Sequence, residues 1–186
     1  MFPNQEGENV PQVTFTLCQE SSTRAISTAD IFLHKTVVVF AVPGAFTYPY
    51  STVQLLGYNS YAKAFKANGV DRIVCIAVNN SFVLSQWAKT QQAHHICFIP
   101  DADGEFTRKM GMLVSFSDKG MGQRSWRYSM LVKNMVIEKM FVERVKMEEW
   151  PTVSNAETML NYINPSASKP QEAVVLMQMW RALLYA

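Results

Sequence analysis

The sequence predicts an α/β sandwich: a central mixed β-sheet flanked by helices. Three observations carry this. TVVVFAV (36–42) and RIVCIAV (72–78) are near-continuous, β-branched-rich apolar runs, the pattern of strands buried on both faces of a sheet. Stretches with three- and four-residue apolar spacing stand between such runs. Near the end of the sequence, two adjacent runs, RYSMLV (127–132) and MVIEKMFV (135–142), read as a hairpin followed by a helix.

The elements follow in order. After the first strand, residues 49–68 place Leu55, Tyr58, Tyr61 and Phe65 on one helical face, with an interruption expected near Gly57. After the second strand, NSFVLSQWAKTQ (80–91) sets Phe82, Val83, Gln86 and Trp87 at helical spacing. ICFI (96–99) is a shorter strand that stops at Pro100, and GEFTRKMG (104–111) makes one or two helical turns. The hairpin turns at Lys133-Asn134, with Met135 where a glycine would sit more easily. Ser154-Asn155-Ala156-Glu157 has the S-x-x-E form of a capping box in front of TMLNYI. INPSASKPQ (163–171) is a linker, and residues 172–186 form a terminal helix with Val175, Leu176, Met179, Trp180 and Leu183 on its apolar stripe. That helix is expected to pack on its own domain or on a dimer mate, with docking of another protein as the alternative. The thioredoxin-like fold has this order of elements; periodicity alone leaves it one candidate among several.

With 48% apolar and 17% charged residues in 186, the chain has the composition of a globular protein with a sizeable core. A formal net charge of +2, from 17 basic and 15 acidic residues, argues against a nucleic-acid binder, which concentrates basic charge on one face. No apolar run reaches the length of a membrane span, and the N-terminus lacks the basic and apolar regions of a secretion signal, so a cytoplasmic location is expected. The three cysteines, Cys18, Cys75 and Cys97, are odd in number and widely spaced, which supports neither a disulfide framework nor a zinc site. No metal or cofactor is implied. His94-His95 reads as a surface pair on a short strand, and Asp101-Ala102-Asp103-Gly104 reads as a turn lacking the later ligands of a calcium loop.

The stretch PGAFTYPYS (43–51), directly after a buried strand, resembles the P-G-A-F-T-P-x-C-S loop of the peroxiredoxins, matching it at Pro43, Gly44, Ala45, Phe46, Thr47 and Ser51. GYNSYAKAFKANGVDRIVCIAVNN, FVLSQWAK, IPDADGEFTRKMGM and RSWRYSMLVKN extend the resemblance over residues 10 to 164. It is closest to the subfamily of plant type II enzymes, animal type V enzymes and bacterial peroxiredoxin–glutaredoxin hybrids. The resemblance implies a thioredoxin-like domain over residues 1–164, with 165–186 as linker and C-terminal amphipathic helix. It also implies a homodimer whose contact includes segments 43–50 and 80–88, where Tyr48 and Tyr50 would add aromatic surface. In the family, thiol-dependent reduction of hydroperoxides runs through a cysteine four residues into the loop's T-x-x-C. An arginine matching Arg127 lowers that thiol's pKa, a threonine matching Thr47 orients the peroxide, and Pro43 and Gly44 shape the pocket.

The departure is at the centre. Tyr50 stands at the cysteine's position, and the proline has moved one place, giving Tyr48-Pro49. A phenol has a reference pKa of about 10 and no route to a sulfenic acid. Tyr50 is therefore expected to plug the pocket, its hydroxyl toward Arg127 or Thr47, and to block anion binding by Arg124 and Arg127. Cys75 in RIVCIAV and Cys97 in ICFI read as buried packing thiols, and Cys18 as nearer the surface. The reading is a family member without peroxidase activity, in a binding, regulatory or assembly role. The alternative is a peroxidase using a displaced cysteine and an external reductant such as glutathione, glutaredoxin or thioredoxin.

Overall fold

The computed structural model describes residues 2–19, 22–144, 149–171, 175–177 and 180. A five-stranded mixed sheet organises them, built from β3 (Thr36–Ala41), β4 (Arg72–Ala77), β5 (Cys97–Pro100), β8 (Tyr128–Lys133) and β9 (Val136–Val142) in the order β5-β4-β3-β8-β9. β3 runs parallel to β4 and antiparallel to β8, which makes it the hinge between the parallel and antiparallel halves. Its buried run explains the central position: Val38 and Phe40 face one helical layer, while Val37, Val39 and Ala41 face the other.

The first layer contains α2 (Tyr48–Ala67), α3 (Ser81–Thr90) and α5 (Ala156–Ile163), which supply Leu55, Tyr58, Phe65, Leu84, Trp87 and Met159. Phe40 and Tyr58 stack across it at 4.3 Å. The second layer contains α1 (Thr28–Phe32) and α4 (Glu105–Lys109), with Ile31, Phe32 and Phe106 against the sheet. The α2 helix continues through Gly57, so the expected interruption does not occur; packing of its apolar face outweighs the roughly 1 kcal/mol that an interior glycine costs. Among the described residues, no helix is long and apolar enough to cross a membrane.

Several local readings change. The turn between β8 and β9 is made by Asn134 and Met135, both at positive φ (45° and 73°), so the strands diverge one residue later than expected. The S-x-x-E reading at 154–157 is also corrected. Asn155 caps α5, its side chain accepting from the Thr158 amide, while Ser154 is drawn inward by Glu143. A true capping box sits earlier, at Ser27 and Asp30 of α1. The β1 (Thr14–Gln19) and β2 (Ser22–Ser27) hairpin and the short pair β6 (Leu113–Ser115) and β7 (Gln123–Ser125) carried no clear sequence period. His94 and His95 lie in the turn before β5 rather than on the strand, and both are exposed. Asp101 is buried and accepts from the Phe106 and Thr107 amides, which makes the 101–104 turn the start of α4.

The expected terminal helix falls largely outside the described residues. Residues 175–177 and 180 are helical; Val175 rests against the first core layer, whereas Leu176, Met177 and Trp180 are exposed. The segment before them is tied to the domain by Asn164 to Asn68 and by Lys169 to Glu157, each at 2.8 Å.

The N-terminal arm pairs with the free edge of β9, through Gly7 N to Ile137 O and Val10 N to Met135 O, and so protects that edge. Its path also crosses α4. At Gly111 (φ +68°) an added Cβ would stand 2.5 Å from Pro3 Cγ. Gly111→Ala is expected to lower the unfolding free energy by about 1–2 kcal/mol, from left-handed strain plus displacement of the arm. The shift in urea midpoint measures it; an unchanged midpoint would mean that the arm is not held there.

Candidate functional site

The loop from Pro43 to Thr47 carries the chain from β3 into α2. Pro43 and Gly44 are buried. A Cβ at position 44 would meet Thr47 Cγ2 at 3.0 Å and Asn79 Oδ1 at 3.3 Å, so glycine lets the loop close onto Asn79, which accepts from the Ala45 amide at 2.9 Å. Phe46 then adopts a left-handed conformation (φ 57°), unusual for an aromatic residue, and its ring is 54% exposed. Thr47 occupies the N-cap position of α2 without capping it. Its hydroxyl donates to the Gly44 carbonyl at 2.6 Å and shares a 3.0 Å hydrogen bond with the Ser51 hydroxyl. Pro49 fits the first turn of α2, where a proline loses no helical hydrogen bond.

Tyr50 lies in this first turn, beside the positive end of the helix dipole. Its half-buried ring meets Trp150 edge-on, centroids 5.7 Å apart at 76°. Arg127, just before β8, is 2% exposed and donates from Nη1 to the Glu149 carbonyl at 2.9 Å. Burial pulls its pKa down, opposed by the nearby Glu143 and by Tyr50, so the guanidinium stays charged beside the phenol. The structure thus brings Arg127 beside Tyr50, far from it in the chain, while the hydroxyl of Thr47 is engaged by Gly44 and Ser51. It keeps Arg124 out, since that side chain donates to the Val78 carbonyl.

Glu143 and Trp150 of this site were not anticipated. Glu143 follows β9 and is 1% exposed, yet it bears a carboxylate. Oε1 accepts from the Val153 amide, the Ser154 amide and the Ser154 hydroxyl, and Oε2 from the Thr152 hydroxyl, all between 2.7 and 2.9 Å. Gln54 and Tyr58 of α2 reach the same point by donating to the Ser154 carbonyl. This network fixes residues 152–154, just after Trp150. The sole sequence signal was an acidic residue closing an apolar strand run, and the S-x-x-E pattern assigned Ser154 elsewhere.

The thiols separate by position. Cys75 is fully buried in β4, and burial pushes its thiol well above the usual range. Cys97, expected to be buried, is exposed because it opens β5 at the strand's end; Ile99, on the same face two residues on, is buried in the core. The surrounding protein still raises the Cys97 pKa, against the opposing pull of Arg72. Cys18 is partly exposed in β1, its amide bonded to the Ser81 hydroxyl. None lies in the loop at 43–51.

The Redoxin family model matches residues 5–160. The hybrid peroxiredoxin hyPrx5 of Haemophilus influenzae is 49% identical over 162 residues, covering 87% of this chain and 67% of that protein. Peroxiredoxin sll1621 of Synechocystis is 46% identical, covering 80% and 83%. Among solved structures, reduced Prx3 from Vibrio vulnificus in complex with H2O2 is similar with a TM-score of 0.79 and 36% identity, covering 86% of this chain and 98% of that one. The 1-Cys peroxiredoxin of Plasmodium falciparum gives a TM-score of 0.80 at 29% identity, covering 88% and 100%.

Glu143→Ala strands the buried donors of residues 152–154 and is expected to cost about 3 kcal/mol or more in urea unfolding. Glu143→Gln, which keeps one acceptor oxygen, should cost less than half as much. Equal losses would mean that the carboxylate's hydrogen bonds do not set the stability of this segment.

Proposed function

This chain belongs to the redoxin family, among the peroxiredoxins, and from that premise we propose that it is a member without peroxidase activity whose scaffold serves binding, regulation or assembly. One observation carries the reading: where α2 begins beside Arg127, the side chain is the phenol of Tyr50, packed edge-on against Trp150. Peroxide reduction needs a polarisable nucleophile that attacks one oxygen of the O–O bond, accepts it as a sulfenic acid and is then restored by a reductant. A phenolate offers no such cycle. The supporting groups at Thr47 and Arg127, with Pro43 and Gly44 in the loop, fit a vestigial pocket. The domain spans residues 1–164, followed by the 165–186 tail, in a reducing cytoplasmic setting that suits three unpaired thiols.

The second reading, a peroxidase using a displaced cysteine with glutathione, glutaredoxin or thioredoxin as reductant, draws on the exposure of Cys97 near Arg72. Against it, Cys97 opens β5 at the end of the sheet away from the α2 N-terminus, and desolvation by the surrounding protein raises rather than lowers its thiol pKa, although the residue is partly open to solvent. A coupled peroxide-consumption assay separates the two. Wild type is expected to show no turnover above buffer, and a Cys97→Ser variant no difference from it, while Tyr50→Cys gains activity. Robust wild-type turnover lost in Cys97→Ser would overturn the inactive reading.

Self-association is part of the proposal. Phe46 and Phe82 are 54% and 58% exposed on the segments 43–50 and 80–88, and Tyr48 lies between them in sequence; the Tyr50 ring is instead engaged by its own chain's Trp150. An alternative contact uses Leu176, Met177 and Trp180 of the tail to hold a different protein. Phe82→Glu is expected to weaken a homodimer at least tenfold in sedimentation measurements, with Trp180→Glu leaving it unchanged. The opposite pattern would move the contact to the tail.

A further inference from the structure

At the far end of α2 from Tyr50, a cleft of about 340 Å³ opens between the last turns of that helix and the start of β4. This volume is at the lower end of small-ligand sites, enough for one ring and a head group. Its floor is apolar, formed by the partly exposed Ala62 and the nearly buried Val70 and Ile73, with Phe65 fully buried behind them. Its rim carries Lys63, Lys66, Arg72 and His95, all exposed.

The charges at this rim are only partly compensated. Among the described residues, Lys63, Lys66 and Arg72 take part in no ion pair, unlike Lys109, Lys133 and Lys169, which each hold a glutamate. The one carboxylate lining the cleft, Asp71, uses Oδ2 to accept the Thr36 amide at 2.7 Å. A helix C-terminus ordinarily repels anions, but here the last carbonyls are occupied. Asn68 Nδ2 takes the Ala64 carbonyl, the Asn68 and Val70 amides take that of Phe65, and the Gly69 amide takes that of Lys66. Three cations against one carboxylate leave an excess of two positive charges around an apolar floor.

We propose that this cleft is a binding site for a small phosphate monoester carrying a flat apolar group, with the dianionic head held by Lys63, Lys66 and Arg72 and the ring against Ala62 and the edges of Val70 and Ile73. The dianion matches the excess charge, and Arg72 offers a planar fork for phosphate oxygens. The ring supplies what free phosphate lacks, contact with the floor. The site is separate from the Tyr50 pocket and does not depend on whether the chain reduces peroxides.

The test is a heteronuclear NMR titration of the full chain with phenyl phosphate, alongside inorganic phosphate and phenol. Phenyl phosphate is expected to saturate, with shifts concentrated at residues 62–73 and 95. Inorganic phosphate and phenol should each bind at least tenfold more weakly. The double variant Lys66→Gln/Arg72→Gln, whose exposed side chains leave the core intact, should lose at least tenfold in affinity with an unchanged urea midpoint; Lys63→Gln alone should lose less. The proposal is overturned if phenyl phosphate fails to saturate, if the double variant binds as wild type does, or if the shifts cluster at residues 44–51 and Arg127 instead.

Discussion

A single buried carboxylate organises the upper end of this molecule. Glu143 sits where β9 ends, and its two oxygens collect four hydrogen bonds from residues 152–154. Desolvating a carboxylate is costly, and it persists only where donors replace the lost water. Here the donors come from the segment that must return from the sheet edge to begin α5, so satisfying Glu143 also sets that segment's path. Gln54 and Tyr58 fasten α2 to the same carbonyl, so the sheet, the longest helix and the last core helix share one polar junction.

Trp150 and Arg127 both depend on that junction. The path that brings residues 152–154 to Glu143 puts Trp150 against Tyr50 and the Glu149 carbonyl within reach of Arg127. The result is a helix N-terminus and a buried cation, an arrangement suited to holding negative charge, closed by two aromatic rings. In a thiol enzyme that electrostatic setting would favour a thiolate. Beside a phenol that setting has no thiolate to favour, the basis of the proposed non-catalytic role.

The two ends of α2 are therefore chemically opposite to their usual roles. The N-terminus, where amides could receive an anion, carries the Tyr50–Trp150 contact in its first turn. The C-terminus, where carbonyls would ordinarily repel one, has those carbonyls occupied and is ringed by Lys63, Lys66 and Arg72. A helix of 20 residues separates the two by about 30 Å, so events at one have no direct electrostatic reach to the other in water.

The strand runs 36–42 and 72–78, the helix of Leu55, Tyr58 and Phe65, and the tyrosine inside PGAFTYPYS were legible from residue order alone. Each follows from short-range periodicity or from the identity of a side chain, and neither needs knowledge of distant neighbours. The continuity of α2 through Gly57, the cap at Asn155, the exposure of Cys97 and the importance of Glu143 were not. Burial at a strand's end depends on what the folded chain packs against it, and a buried acid is tolerable only where residues ten positions away turn their donors toward it. Sequence determined the sheet's composition and the missing sulfur. Tertiary structure decided what packs around Tyr50, because contacts such as Tyr50–Trp150 and Glu143–Ser154 exist only once the chain has closed on itself.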